Sequence, residues 1–254
     1  MRRILAVAAN TFRESVRERV LYNLVFFAVL MTLSGLLLNK LSVRQDDKII
    51  KDLGLASIEI FGTLIAIFVG VTLVSKELER RSLYPLLAKP LRRHEFLLGK
   101  FLGLSLTLLV NAALMTLGLY LTLFLTDRGV ELGLLKAIGP IYLSLVLVVA
   151  LALLFSTLTS SALASVCTVS VVVAGRFSDV IHNMKDVIPD APVALIQLLY
   201  YALPNFGNFD FKNRVVYGDP VGWSDLGWAT TYAAVYVGLV LTASALVFER
   251  KELP

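Results

Sequence analysis

Apolar residues in this chain fall in long runs without charge, not at the alternating or three-to-four-residue spacing of half-buried strands and helices. The first run covers 21–38. The second, 53–75, holds one charge, Glu59, near its start, and the third, 101–126, holds none. From Ala137 to Gly175 there are 39 residues without a formal charge. One crossing takes about 20 apolar residues, since a helix rises about 1.5 Å per residue through about 30 Å of hydrocarbon. That run is therefore long enough for two. Its middle, "STLTSS" at 156–161, offers hydroxyls that satisfy backbone groups in a tight turn, which predicts spans over 137–156 and 160–180. The last run gives 226–248. Backbone in lipid must satisfy its own hydrogen bonds, and continuous runs favour helices over a barrel. The expectation is an all-α membrane protein with six transmembrane helices in a single domain over 1–254.

Composition agrees: 57% of the residues are hydrophobic and 17% charged, against about 45–50% and 25% in soluble domains. The lone Cys167 excludes a disulfide framework, and two His with one Cys exclude a zinc or haem site of ordinary spacing, so no metal is expected. The N-terminus imitates a signal peptide, but its apolar stretch, Ile4 to Ala9, is shorter than the roughly 7–15 residues needed, so it is expected to be retained. Lys and Arg then set the orientation. The N-terminal segment, the loop at 76–100 and the tail hold 14 of the 24, and the opposite loops hold 10 over a longer stretch. Both termini are predicted cytoplasmic. This topology accounts for the pI near 9.3 without a nucleic-acid partner.

Two further elements stand out. Residues 1–20 place Ile4, Ala8, Phe12 and Val16 four apart, with Arg13, Glu14, Arg17 and Glu18 opposite, which predicts an amphipathic helix on the cytoplasmic membrane surface. The outer segment 181–225 contains "VALIQLLYYALPNF", too short to span, and predicts an interfacial or re-entrant helix stopped by Pro204 among aromatics at headgroup level.

The loop at 76–100 is the exceptional feature. Fourteen of its 25 residues are polar, charged or proline, and seven are Lys or Arg. Reversing direction takes a handful of residues. Here Ser82 can cap a short helix, Pro85 sits in its first turn and Pro90 stops it. Leu83, Leu86 and Leu87 then form apolar knobs inside a rim of Glu77, Glu79, Arg92 and Arg93. On residues alone this is equally a partner-docking surface or a solvated positive-inside loop.

The order Glu77, "LYPLLAKPLRRHEFLLGKFLG" resembles the cytoplasmic loop of ABC-2 type permeases, the membrane subunits of one class of ABC transporters. In that family an acidic residue leaves the second span; an LL-x-x-P helix, an Arg and a Gly-Lys opening the third span follow. Here these are Glu77, Leu86-Leu87-x-x-Pro90, Arg93 and Gly99-Lys100. Arg81-Ser82 stands where the family usually has Gly-Thr or Gly-Ser, and Arg92 where it often has Ser. The likeness extends to the amphipathic start, the "LPNFGNFDFKN" segment and the "FERKEL" finish. It implies a cytoplasmic coupling helix between spans 2 and 3, seated on a separate ABC ATPase subunit that binds ATP and Mg. It also implies a second permease copy, as homodimer or heterodimer, and the inner membrane of a prokaryote. The ATPase-coupling residues would be Glu77, Glu79, Leu83, Leu86, Leu87, Pro90, Arg92 and Arg93. This chain carries no G-x-x-x-x-G-K-[ST]: Gly99-Lys100 is followed by Phe101 and has His94 where the first Gly belongs, so it is not expected to be an enzyme.

Remaining candidates lie within the spans. Glu59, about 9 Å in from the outer end of its run, can snorkel to the surface or touch substrate. Ser161, Ser165 and Thr168 lie on a small-residue face suited to helix packing with a neighbouring subunit or to a polar path. An ion-coupled secondary transporter and a membrane-embedded enzyme are the rival functions. The first lacks a midplane acid and the second a residue cluster at either membrane face. Export of a lipidic, amphipathic or polymeric cargo is the expectation.

Overall fold

The computed structural model of the chain describes residues 2–17, 26, 27, 30, 46–79, 93–126, 131–178 and 203–250. Helix α1 is Arg2–Arg17, α2 is Asp46–Glu79 and α3 is Arg93–Leu125. A 3-10 turn, Leu132–Leu134, leads into α4, Leu135–Leu158, and α5, Ser161–Arg176, follows. After a second 3-10 turn, Phe206–Phe209, come α6, Lys212–Tyr217, and α7, Trp223–Arg250. Among the described residues four helices are long and apolar enough to cross a membrane: Lys48–Leu73, Arg93–Leu125, Leu132–Leu158 and Trp223–Arg250. The expected first span lies outside the described residues except Phe26, Phe27 and Leu30.

Small residues set the packing. Gly54 on α2 abuts Leu119 on α3; farther along, Ala66, Val69 and Gly70 face Leu104, Thr107 and Leu108, so α2 and α3 run antiparallel. Gly62 lies under Leu145 and Gly70 under Ala152, which makes α2 and α4 parallel. Helix α4 is the centre: Leu145, Val148, Val149, Leu147 and Leu153 are all buried, although they point to every side of the helix. The break after α4 comes where the hydroxyls are. Ser156 Oγ donates to the Leu153 carbonyl (2.9 Å), Thr157 Oγ1 to Leu154 (2.7 Å) and Thr159 Oγ1 to Phe155 (3.1 Å). The hydroxyls thus bond back to carbonyls of the last turns of α4 and need no partner beyond the helix, and the Phe155 carbonyl also accepts from the Thr159 N–H (2.9 Å).

Helix α5 then returns antiparallel to α2. Ala164 packs with Val71 and Ala152 at one end, and Arg176 meets Glu59 at the other. With 16 residues it is about 24 Å long, short of the 30 Å that a full span covers. Its last turn is packed at Gly175 by the carbonyl of Pro204 and the ring of Phe206. The outward face of α3 tells where the bundle sits. Leu102, Leu106, Leu109, Leu117, Leu121 and Phe124 are all between 45% and 69% exposed. A continuous stripe of that size is a liability in water and the ordinary surface of a helix in lipid.

Helix α1 departs from the expected arrangement. Its covered face is Ala8, Thr11 and Ser15, packed lengthwise on α3, whereas Leu5 is 64% exposed and Val16 39%. Gly99 meets Val7 and Ile4, and Gly103 meets Ala8 and Thr11, so the two helices also run in the same direction. The polar residues can face inward because their hydroxyls are already used: Thr11 Oγ1 donates to the Val7 carbonyl (2.9 Å) and Ser15 Oγ to Thr11 (2.8 Å). Of the residues expected on the membrane surface, Ala8 is buried against α3, Ile4 and Phe12 are half-buried and Val16 is exposed.

Candidate functional site

Two charged clusters mark the two ends of the bundle. The first surrounds the loop between α2 and α3. Glu77 and Glu79 lie in the last turns of α2, and Arg93 is the first residue of α3. Leu83, Leu86, Leu87, Pro90 and Arg92 lie outside the described residues. The Arg93 side chain reaches α7. Its Nη1 donates to the carbonyl of Phe248 (2.8 Å) and to that of Glu249 (3.2 Å), in the final turn of α7. The guanidinium lies 5.7 Å from the centroid of the Phe248 ring, and Phe96 stacks on the same ring at 6.3 Å. Val7 of α1 packs on this pair. His94 Nδ1 is 3.8 Å from a Glu249 carboxylate oxygen. One turn along α3, Lys100 is almost fully buried, its Nζ 3.5 Å from Glu14 Oε2 on α1 and over the ring of Phe96. The start of α3 is thus fastened to both α1 and α7.

The second cluster centres on Glu59. Helix α2 begins at Asp46, well before the apolar run, which places Glu59 about 20 Å along the helix from its start. The residue is 8% exposed and does not snorkel to the surface. One carboxylate oxygen accepts from Arg176 Nη1 at the end of α5, the other from Lys212 Nζ at the start of α6. Arg176 also donates from Nη2 to Thr63 Oγ1 (3.4 Å) and lies over the ring of Phe206. Asp210 Oδ1 is 3.8 Å from Lys212 Nζ. Two carboxylates and two cations leave the cluster balanced, which is what a buried charge requires.

Between α5 and α7 the segment 203–209 forms a wedge. The Asn205 backbone N–H donates to Tyr232 Oη (2.8 Å), and Tyr236 Oη donates to the Leu203 carbonyl (3.2 Å). Asn205 Oδ1 accepts from Gly207 N–H (2.7 Å) and opens the 3-10 turn.

The family described as "ABC-2 family transporter protein" matches residues 5–253. The chain belongs to this family. It is a multi-pass integral membrane protein and the membrane subunit of an ABC transporter, and the family implies an ABC ATPase as its partner. No curated protein matches the chain.

The small-residue face of the ABC-2 permease is used within the subunit. Thr168 is fully buried and its Oγ1 donates to the Ala164 carbonyl (2.6 Å); Ser165 Oγ donates to Ser161 (3.1 Å). Only Ser161 and Ser165 keep part of their surface open. No group of three His, Cys, Asp or Glu able to hold a metal occurs among the described residues. The structure adds three residues to the two clusters that the sequence did not single out: Arg176, Lys212 and Phe248. Arg176 and Lys212 stand 117 and 153 residues from Glu59, and no local pattern links them to it.

Proposed function

We propose that this permease is driven through residues 80–92 by an ABC ATPase subunit that binds ATP and Mg, and that it exports a lipidic, amphipathic or polymeric cargo. The observation that carries the reading is the family match over nearly the whole chain, together with the lack of a P-loop in the sequence. In this reading Leu83, Leu86 and Leu87 are the docking knobs, rimmed by Glu77, Glu79 and Arg92 and stopped by Pro90. The loop and both termini face the cytoplasm, two copies act together, and lipid surrounds the exposed stripe of α3.

Helices α2 and α3 suit the transmission of a push. Each has more than 30 residues and is about 50 Å long, so both extend beyond the hydrocarbon. Displacing the loop moves the end of α2, and Glu59 lies about 30 Å farther along the same rigid helix. The stroke therefore arrives at the cluster that ties α5 and α6 to α2. Cargo passage at that end requires Glu59 to exchange partners, because both of its oxygens are occupied at rest. Glu59 offers no unpaired carboxylate, which favours this reading over ion-coupled transport.

The test is co-purification. Replacing Leu86 and Leu87 by Asp removes the apolar knobs: the ATPase is expected to be lost while the permease still inserts. Retention of the ATPase by the double variant would contradict docking at this loop.

A further inference from the structure

We infer that Arg93 is a positioning residue that makes α7 a second output of the loop, so that one stroke reaches the outer wedge by two routes. The inference rests on the coupling reading above and concerns what the loop pulls on.

Three observations carry it. First, Arg93 directly follows the loop, yet its described bonds go to the end of the last helix, at Phe248 and Glu249. Carbonyls of a final helical turn have no partner within the helix, and a cation there also faces the negative end of the helix dipole. The bond is charge-assisted and made to two acceptors, and the ring contacts of Phe248 with Arg93 and Phe96 hold it laterally. Second, α7 is held along one side only, chiefly against α4. Its buried positions form one stripe, Ala229, Ala233, Val240, Ser244 and Phe248, while Trp228, Val235, Leu239 and Leu246 are more than half exposed. A single packed face allows α7 a small sliding shift along α4 when its end is pulled. Third, the far half of α7 grips the wedge through Tyr232 and Tyr236. That wedge lies against Gly175 and beside Arg176, where the route through α2 and Glu59 also ends. The α2 route ends in ion pairs and the α7 route in hydrogen bonds, and both end on residues 203–212.

The alternative use of Arg93 is direct contact with the ATPase, as the family motif implies. A covalent bridge separates the two. In a Cys167→Ala background, the pair Arg93→Cys and Glu249→Cys is joined by a short bismaleimide in the permease–ATPase complex in nanodiscs. Amide exchange over 203–209 is read without nucleotide and with ATP and vanadate. Wild type is expected to change between the two states. Arg93→Ala keeps the ATPase but loses most of that change, Arg93→Lys keeps part of it, and the bridged pair recovers it while the unbridged pair does not. Loss of the ATPase from Arg93→Ala, an undiminished change in that variant, or failure of the bridge to restore it overturns the inference.

The clasp is also read on the permease alone. There, Arg93→Ala is expected to speed exchange of the amides over 246–250 by about tenfold, the effect of one charge-assisted hydrogen bond. Unaltered exchange overturns the clasp itself. If wild type brings down no ATPase, the coupling reading fails, and this second measurement still decides whether Arg93 holds α7.

Discussion

Glu59 shows how much one side chain can hold when its charge is buried. Its two oxygens join α2 to the end of α5 and the start of α6. Removing one partner from such a cluster costs more than the cluster contributes, because the remaining charges are left buried without compensation. Glu59→Ala is therefore expected to destabilise the protein by about 3 kcal/mol, read as the shift of the unfolding midpoint in mixed micelles. Glu59→Gln, which keeps the shape and one acceptor, should cost less. Equal stability of Glu59→Ala and wild type would show that the cluster is idle. Sequence marked Glu59 as unusual and left it between the surface and a substrate path. Its depth depends on where α2 begins, and the polar stretch Asp46 to Asp52 has none of the apolar signal that reveals a span. Nor do local rules expose partners so remote in the chain. Gly175 is the other sensitive position: a Cβ there would meet the Pro204 carbonyl, which is backbone and cannot turn aside. Gly175→Ala should displace the wedge and speed amide exchange over 203–209.

At the scale of elements, the seam between α1 and α3 is the clearest case of sequence fixing distance. A Cβ on Gly99 would lie 2.6 Å from Val7 Cβ, and one on Gly103 would lie 2.6 Å from the Ala8 carbonyl oxygen. Gly103→Leu is expected to force α1 away at a cost of about 1–3 kcal/mol and to expose it to protease. Gly118→Ala, whose Cβ would meet the Phe27 ring at an ordinary 3.5 Å, should be neutral and serves as the control. A variant at Gly103 that leaves α1 as protected as in wild type contradicts the seam. The apolar period of α1 was legible, its neighbour was not. Hydroxyls that bond four residues back lose their polar character, so Thr11 and Ser15 count in packing as small apolar residues. The break between α4 and α5 was legible for a related reason, since Ser156, Thr157 and Thr159 satisfy their hydroxyls on the turns just before it. The partner of the last turn of α5 was not, because the 203–209 wedge that packs on Gly175 is remote from it in the sequence.

The whole molecule is a bundle whose described chain ends, Arg2 and Arg250, lie at the same end as the loop between α2 and α3. Family and membrane character were legible because lipid demands long uncharged runs, and the loop stands out against them. How the bundle joins its two charged clusters was not, since it depends on Arg93 reaching across the bundle to α7. If the ATPase drives this chain, its force enters at the loop and divides between α2 and α7 before reaching the wedge. Entry at the loop is the central claim, and photo-cross-linking tests it most directly. With p-benzoyl-phenylalanine in place of Leu86 in intact cells, irradiation is expected to join the permease to its ATPase subunit, and the same group at the exposed Leu117 should not. No cross-link from position 86, with a membrane-impermeant reagent reaching that position from outside, would contradict the account.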